Sequence, residues 1–451
     1  MKSTKVALLM SLLLGLGCGG GAEPEPDAGL LDAGSDAGSH DADGGEEEHC
    51  VPLADRFDED TTIEKGCYLA ERTPVIGDAV RLTLKPGVKV IFSEDVALRF
   101  TGEQVLVATG TADEPILLTG AQPQRGFWKG ISFDGTLSTE SRLDYVTVEY
   151  AGSTKSDSNA AAIKLTADSR GARASLTHTT LKDSQGWGLW LDGSAVVPEF
   201  ASNVLTRNTL GPASVDAQVA DVLDADSSYT GNDRDEVHVR AYQISRSATW
   251  QNLGVPYVME SSLAVDGADW TIAPGVTLVM AEGTGITVRS DDSALLAAGT
   301  SSAPIVFTGQ KEERGSWKGI HFDGSNNTRN ALAHVTVKWA GDTTSDQDAA
   351  AVKLIADSHG VQVKISQTTL EESEGWGPVP RRERDCPGFR RQHADSQHAG
   401  AGQRWERKRA PVAAQLQLRR QRRGRGAGAR ESGAGGHLAR PRRALRHRGL
   451  C

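Results

Sequence analysis

The chain reads as an all-β solenoid built from a tandem duplication, and three observations carry that reading. The segment Arg125–Gly135, Arg-Gly-Phe-Trp-Lys-Gly-Ile-Ser-Phe-Asp-Gly, returns at Arg314–Gly324 with two substitutions. Pro115-Ile116, Ala167-Asp168-Ser169 and Gly186-Trp187-Gly188 return at the same offset as Pro304-Ile305, Ala356-Asp357-Ser358 and Gly375-Trp376-Gly377, which marks a duplicated unit. Between these landmarks lie short alternating runs such as Val88-Lys89-Val90, Val146-Thr147-Val148 and Ile163-Lys164-Leu165, each bounded by Gly, Asp, Asn or Pro. That is a strand pattern, and no stretch holds a 3.6-residue period for three turns. Equivalent strands recur roughly every 15–25 residues without hairpin dipeptides between neighbours. Of sandwich, propeller and solenoid, this favours stacked parallel coils.

In chain order, Lys2 and Lys5 precede an apolar run from Val6 to Leu16, then Gly17-Cys18-Gly19. A basic start and a run too short to span a bilayer make an export signal over 1–17. The small residues before Cys18 resemble a bacterial lipobox, although Gly15 stands where Leu is usual. That resemblance implies lipid attachment at Cys18 and anchoring in a membrane. Gly19 in place of Asp favours the bacterial outer membrane.

From Ala22 to Glu48 the chain is mostly Asp, Ala, Gly, Ser and Glu with almost nothing apolar to bury, so a disordered, self-repelling spacer is expected over 18–49. Its Asp-Ala-Gly repeats lack the spacing of a calcium loop. Calcium is therefore only a weak expectation, and no other cofactor or metal site is legible. Cys50 and Cys67 follow in an exported context, where a disulfide closing the start of the folded part is expected.

The strands of copy one are read in sequence as Leu82–Leu84, Val88–Phe92, Val96–Phe100, Val105–Val107, Ile116–Leu118, Ile131–Phe133, Val146–Val148 and Ile163–Leu165. Alternation points Ile131, Phe133, Val146, Val148, Ile163 and Leu165 inward. Two motif groups carry a family resemblance. The first is Leu84-Lys85-Pro86-Gly87-Val88, Pro115-Ile116-Leu117-Leu118-Thr119-Gly120 and Gly126-Phe127-Trp128-Lys129-Gly130-Ile131. The second is Leu143-Asp144-Tyr145-Val146-Thr147-Val148-Glu149-Tyr150-Ala151-Gly152, with Ile272-Ala273-Pro274-Gly275-Val276 opening the same series again. Together they resemble bacterial lipoproteins of the right-handed parallel β-helix, pectate-lyase-like group. The resemblance, over about 80–210 and 268–377, implies a right-handed parallel β-helix; the duplication divides it into copy one over 50–235 and an incomplete copy two over 236–377. It does not choose between binding proteins and polysaccharide-active enzymes.

Residues 378–451 break the pattern: they hold 20 Lys and Arg against 5 Asp and Glu, whereas the preceding 377 hold 29 against 54. Read one nucleotide later, codons for 392–405 permit Asn-Thr-Leu-Thr-Arg-Asn-Thr-Leu-Gly-Pro-Ala-Ser-Val, compatible with Asn203–Val215 at twelve of thirteen positions. The tail therefore reads as an out-of-frame stretch of β-helix. Its basicity then follows from codon composition, and with one Phe and one Trp it lacks the aromatic interleaving of a nucleic-acid arm.

Outward positions on stacked strands about 4.8 Å apart make the candidate binding face: Ser132, Thr147 and Lys164, with His321, Thr336 and Lys353 expected in the same row of copy two. Such a face suits an extended glycan or another surface protein. Glu149 becomes Lys338 in copy two, which argues against one shared electrostatic mechanism. No catalytic residue is assigned. Asp134/Asp323, Asp157/Asp346 and Asp168/Asp357 sit beside Gly or Ser as turn residues do. Lys129/Lys318 lie in a Trp-Lys-Gly turn, and Ser358-His359-Gly360 only partly matches a polygalacturonase motif. Trp128, Trp187 and Trp376 are read as packing at coil corners. The functional expectation is a lipid-anchored surface protein that binds glycan or protein. The alternative is a lyase or hydrolase of acidic glycans.

Overall fold

A computed structural model describes residues 49–166, 171–240, 242–344, 346 and 348–375, with the backbone of 379–381. Cys18, the spacer before residue 49, Asp168, Trp376 and the tail beyond 381 lie outside the described residues. The rest is a parallel β-helix. Its strands pair in parallel throughout, and successive strands pass to different sheets instead of folding back as hairpins.

One coil shows the pattern. Ala97–Thr101 belongs to an 11-stranded sheet, Val105–Thr109 to a 6-stranded sheet and Ile116–Gly120 to a 7-stranded sheet. Gly130–Asp134 then returns to the long sheet beside Ala97–Thr101. In the C-terminal half the long sheet alternates with a second 6-stranded sheet and a 5-stranded sheet. Coils are longer and less even than spacing suggested. The step along the long sheet from Ala97–Thr101 to Gly130–Asp134 takes far more chain than the step from Val237–Arg240 to Tyr257–Met259. Corner loops of varying length, such as 150–160, make the difference.

Equivalent strands of the two copies do not share a sheet. Ile116–Gly120 lies in the 7-stranded sheet, but Ile305–Gly309 lies in the long one. Gly130–Asp134 lies in the long sheet, whereas Ile320–Asp323 lies in the second 6-stranded sheet. The sequence repeat is thus not a whole number of coils, and each strand of the second half stands one sheet further round. The long sheet also runs unbroken across residue 235, where Gly211–Asp216 pairs with Val237–Arg240.

The core is one ladder of apolar side chains. Ile131, Phe133, Val146, Val148, Ile163 and Leu165 are at most 1% exposed, and Phe133 stacks on Phe100 at 5.5 Å. Each such side chain contributes about 1.5–3 kcal/mol by burial. The Arg-Gly-x-Trp-Lys-Gly segment is a corner. Trp128 is fully buried against Phe92, with ring centroids 4.0 Å apart, and its indole N–H donates to the Glu149 carbonyl at 2.9 Å. Trp317 does the same to the Lys338 carbonyl at 2.7 Å. Gly130 has φ +95°, and a Cβ there would stand 2.6 Å from the Ala162 carbonyl, so only glycine fits.

Two polar devices hold the coils in register. Cys50 and Cys67 are joined by a disulfide, with Cα atoms 4.4 Å apart. Asparagines form an internal ladder: Asn203 Oδ1 accepts from Thr179 N–H (3.0 Å) and Asn208 Oδ1 from Ser184 N–H (3.0 Å). One coil on, Asn232 Oδ1 accepts from Asn208 N–H at 3.0 Å. Each carboxamide also donates back, to the carbonyls of Leu176, Leu181 and Leu205. A buried side chain thus answers backbone groups that would otherwise be left without partners at the corners.

Candidate functional site

Strand register defines one outward row across six strands of the long sheet. Arg99 lies beside Ser132, Ser132 beside Lys164, and Lys164 beside Trp190. Trp190 neighbours Ser214, which neighbours His238. At about 4.8 Å per strand, the five steps span about 24 Å.

The six predicted face residues are not brought together. Ser132 and Lys164 are neighbours in this row. Thr147 is on the 7-stranded sheet between Leu117 and Thr180. His321 and Lys353 pair with each other on the second 6-stranded sheet. Thr336 is on the long sheet but between Val306 and Thr369, in the second half. The expected single row fails for two physical reasons. Consecutive strands of one coil belong to different sheets, and the repeat advances by one sheet between copies.

Two cavities flank the loop that joins Val146–Glu149 to Ala161–Thr166. One, about 350 Å³, is lined by Arg99, Lys129, Ser132, Asp134, Asp157 and Lys164 among others. The other, about 380 Å³, is lined by Asn159, Trp187, Trp190, Ser214, Arg240 and Glu260 among others. The loop serves both, presenting Ser156 and Asp157 to the first and Ser158 and Asn159 to the second.

The walls are ion pairs. Lys164 Nζ bonds Asp157 Oδ2, whose other oxygen accepts from Asn159 N–H at 2.9 Å. Burial opposes ionisation of Asp157, but these bonds outweigh it and hold the carboxyl below its usual value. Arg99 approaches Asp134 at 3.6 Å. Arg240 lies 3.6 Å above the Trp190 ring and 3.2 Å from Asp192, which also accepts from the Trp190 indole N–H at 2.8 Å. Asp216 is pushed up by burial and by the Asp192 charge, against a bond from Gln218 and the pull of Arg240. His238 is held between Glu260 (2.7 Å) and Glu236 (3.3 Å). Trp187 and Trp190 form a small apolar cluster with Ala161 outside the core, at 7% and 6% exposure. Both line the second cavity.

Asp357 and Asp346 take structural roles. Asp357 Oδ1 accepts from the N–H groups of His359 (2.8 Å) and Gly360 (3.1 Å), a turn. Asp346 repeats the pattern of Asp157, bonding Lys353 Nζ and the Asp348 N–H. Beside that pair His321 is pushed down by burial and by Lys353. The Glu149-to-Lys338 inversion is compensated. Glu149 pairs with Lys182 at 2.7 Å, and at the equivalent place in the second copy Lys338 pairs with Glu371 at 3.1 Å, so both partners are exchanged together. Among the described residues no group of three or more His, Cys, Asp or Glu is placed to hold a metal ion.

Arg99, Trp190, Ser214, His238 and Arg240 were not singled out from sequence. For Arg99, Trp190, Ser214 and His238 the signal is the residue between two inward apolar positions, once each coil is aligned on them; Arg240 carries no such signal. Leu98-Arg99-Phe100, Ile131-Ser132-Phe133, Ile163-Lys164-Leu165, Leu189-Trp190-Leu191, Ala213-Ser214-Val215 and Val237-His238-Val239 name the row in order. Comparison with family models, curated proteins and solved structures found no match.

Proposed function

We propose that the protein is an exported lipoprotein, anchored through Cys18 in the bacterial outer membrane, that binds an extended glycan along the long sheet. It belongs, on this reading, with the pectate-lyase-like β-helix proteins that its corner motifs resemble. The observation that carries the proposal is the pair of cavities on one outward row, walled by hydroxyls, ion pairs and indoles. Such a surface presents donors, acceptors and apolar edges at the regular spacing of the coils. Binding is favoured over lyase chemistry because Lys164 is engaged as a cation by Asp157, whereas a proton-abstracting base must be free of its proton.

The test is a binding screen of the intact protein against oligosaccharides, with two variants. Ser132→Trp fills the first cavity and should abolish binding, while Thr147→Trp on another sheet should leave it intact. Equal binding by both variants would remove the groove from the site. Turnover of a bound sugar, lost in Lys164→Ala, would replace this reading with the enzymatic one.

A further inference from the structure

The cavity walls carry a second conclusion, which rests on the glycan reading of the same face. We infer that the glycan is uncharged and polyhydroxylated, not a uronate or sulfated chain. The cations on this face are engaged by carboxylates: Lys164 by Asp157, Arg99 by Asp134 and Arg240 by Asp192, while the His238 ring lies against Glu260 and Glu236. The two linings together hold Arg99, Lys129, Lys164 and Arg240 against Asp134, Asp157 and Glu260, and Asp192 beneath Arg240 brings the sides level. Residues 1–377 as a whole carry 54 acidic against 29 basic side chains. An anionic polymer laid on this face would meet a carboxylate beside Arg99, Lys164 and Arg240 alike, and like charges so placed are repelled.

A neutral sugar meets no such penalty. A carboxylate offers about four lone-pair sites, an ammonium three donors and a guanidinium five, so one ion pair leaves most of them open. Each pair therefore presents a donor next to an acceptor, which matches a sugar hydroxyl that both gives and takes a hydrogen bond. Ser132 adds a hydroxyl to the first cavity. Ser214 Oγ, at the base of the second, is buried and bonds to no protein group among the described residues. Trp187, Trp190 and Leu210 supply the apolar edge that the carbon face of a sugar ring needs.

The experiment titrates the intact protein with neutral hexose and pentose hexasaccharides and with hexagalacturonate, at low and at physiological salt. A neutral oligomer should saturate the site with little dependence on salt, and hexagalacturonate should bind at least about tenfold more weakly. Hexagalacturonate binding as tightly, with affinity falling as salt rises, would overturn this inference and leave the glycan site standing. Binding of neither class would overturn the glycan reading itself. Asp157→Asn releases Lys164 from its partner and should move the preference toward the uronate by about tenfold. An unchanged preference would overturn the role given to the ion pair.

Discussion

Asn208 tests what keeps neighbouring coils in register. It is fully buried, and its carboxamide accepts from Ser184 N–H at 3.0 Å and donates to the Leu181 carbonyl at 3.1 Å and to Asn232 Oδ1 at 3.0 Å. Asn208→Ala removes all three bonds. Asn232 Oδ1 keeps a partner, because the backbone N–H of residue 208 still donates to it at 3.0 Å. Ser184 N–H keeps none and cannot reach water. An orphaned buried donor costs about 1–3 kcal/mol, and the space left by the carboxamide adds about 1 kcal/mol more, for a total of about 2–4 kcal/mol. Equilibrium urea unfolding, followed by tryptophan fluorescence, measures it. Asn252→Ala is the control, since Asn252 Oδ1 accepts only at an exposed turn, from Gly254 N–H at 3.1 Å, and its loss should stay within about 0.5 kcal/mol. Both midpoint and slope must be compared, because stacked coils need not unfold as one unit. A loss for Asn208→Ala no larger than the control would refute the ladder as a source of stability.

The ladder also bears on the end of the chain. Thr368 and Ser373 are the second-copy counterparts of Thr179 and Ser184, and their asparagine partners would fall at 392 and 397, where the chain has Gln392 and Gln397. The frame read one nucleotide later permits Asn at both, so a single-nucleotide correction should raise the unfolding midpoint; an unchanged or lower midpoint would contradict the frame reading. Glu149→Lys sets two cations together and removes the acceptor of Thr119 Oγ1, now 2.9 Å away, so it should cost about 1–3 kcal/mol. Adding Lys182→Glu recreates the Lys338–Glu371 arrangement and should recover most of that loss by the same unfolding assay. His321 is held below its ordinary value of 6.5, so its contribution to stability is present above pH 6.5 and is lost as pH falls through its lower folded value. Unfolding between pH 7 and 5 should therefore show a decline that His321→Gln lessens; identical pH profiles would show that His321 is not its source.

Much of the fold was legible because a β-helix repeats its chemistry. Ile131, Phe133, Ile163 and Leu165 alternate with polar neighbours, and the structure buries all four. The Trp-Lys-Gly corner was legible too, since Gly130 stands where a Cβ would meet a carbonyl. The candidate face was only partly legible. Ser132 and Lys164 share a row, but alternation within one strand cannot tell which of three sheets that strand joins, which is why Thr147 was misplaced. The constant offset between the copies misled further. It identifies equivalent residues, yet a unit that is not a whole number of coils puts His321 and Lys353 on a different sheet from Ser132 and Lys164. The asparagine ladder escaped because Asn203, Asn208 and Asn232 lie at turns, where asparagine is ordinary. Only their 24-residue separations from Thr179, Ser184 and Asn208 tie them together.

Hydrogen exchange with and without a saturating neutral hexasaccharide tests most directly that the long sheet is the binding face. Protection should appear in the loop 153–160 and in the strands carrying Ser132, Lys164, Trp190 and Ser214, with none on the sheet carrying Thr147. Protection confined to the sheet of Thr147 or to the sheet of His321 and Lys353, or no change anywhere, would contradict it.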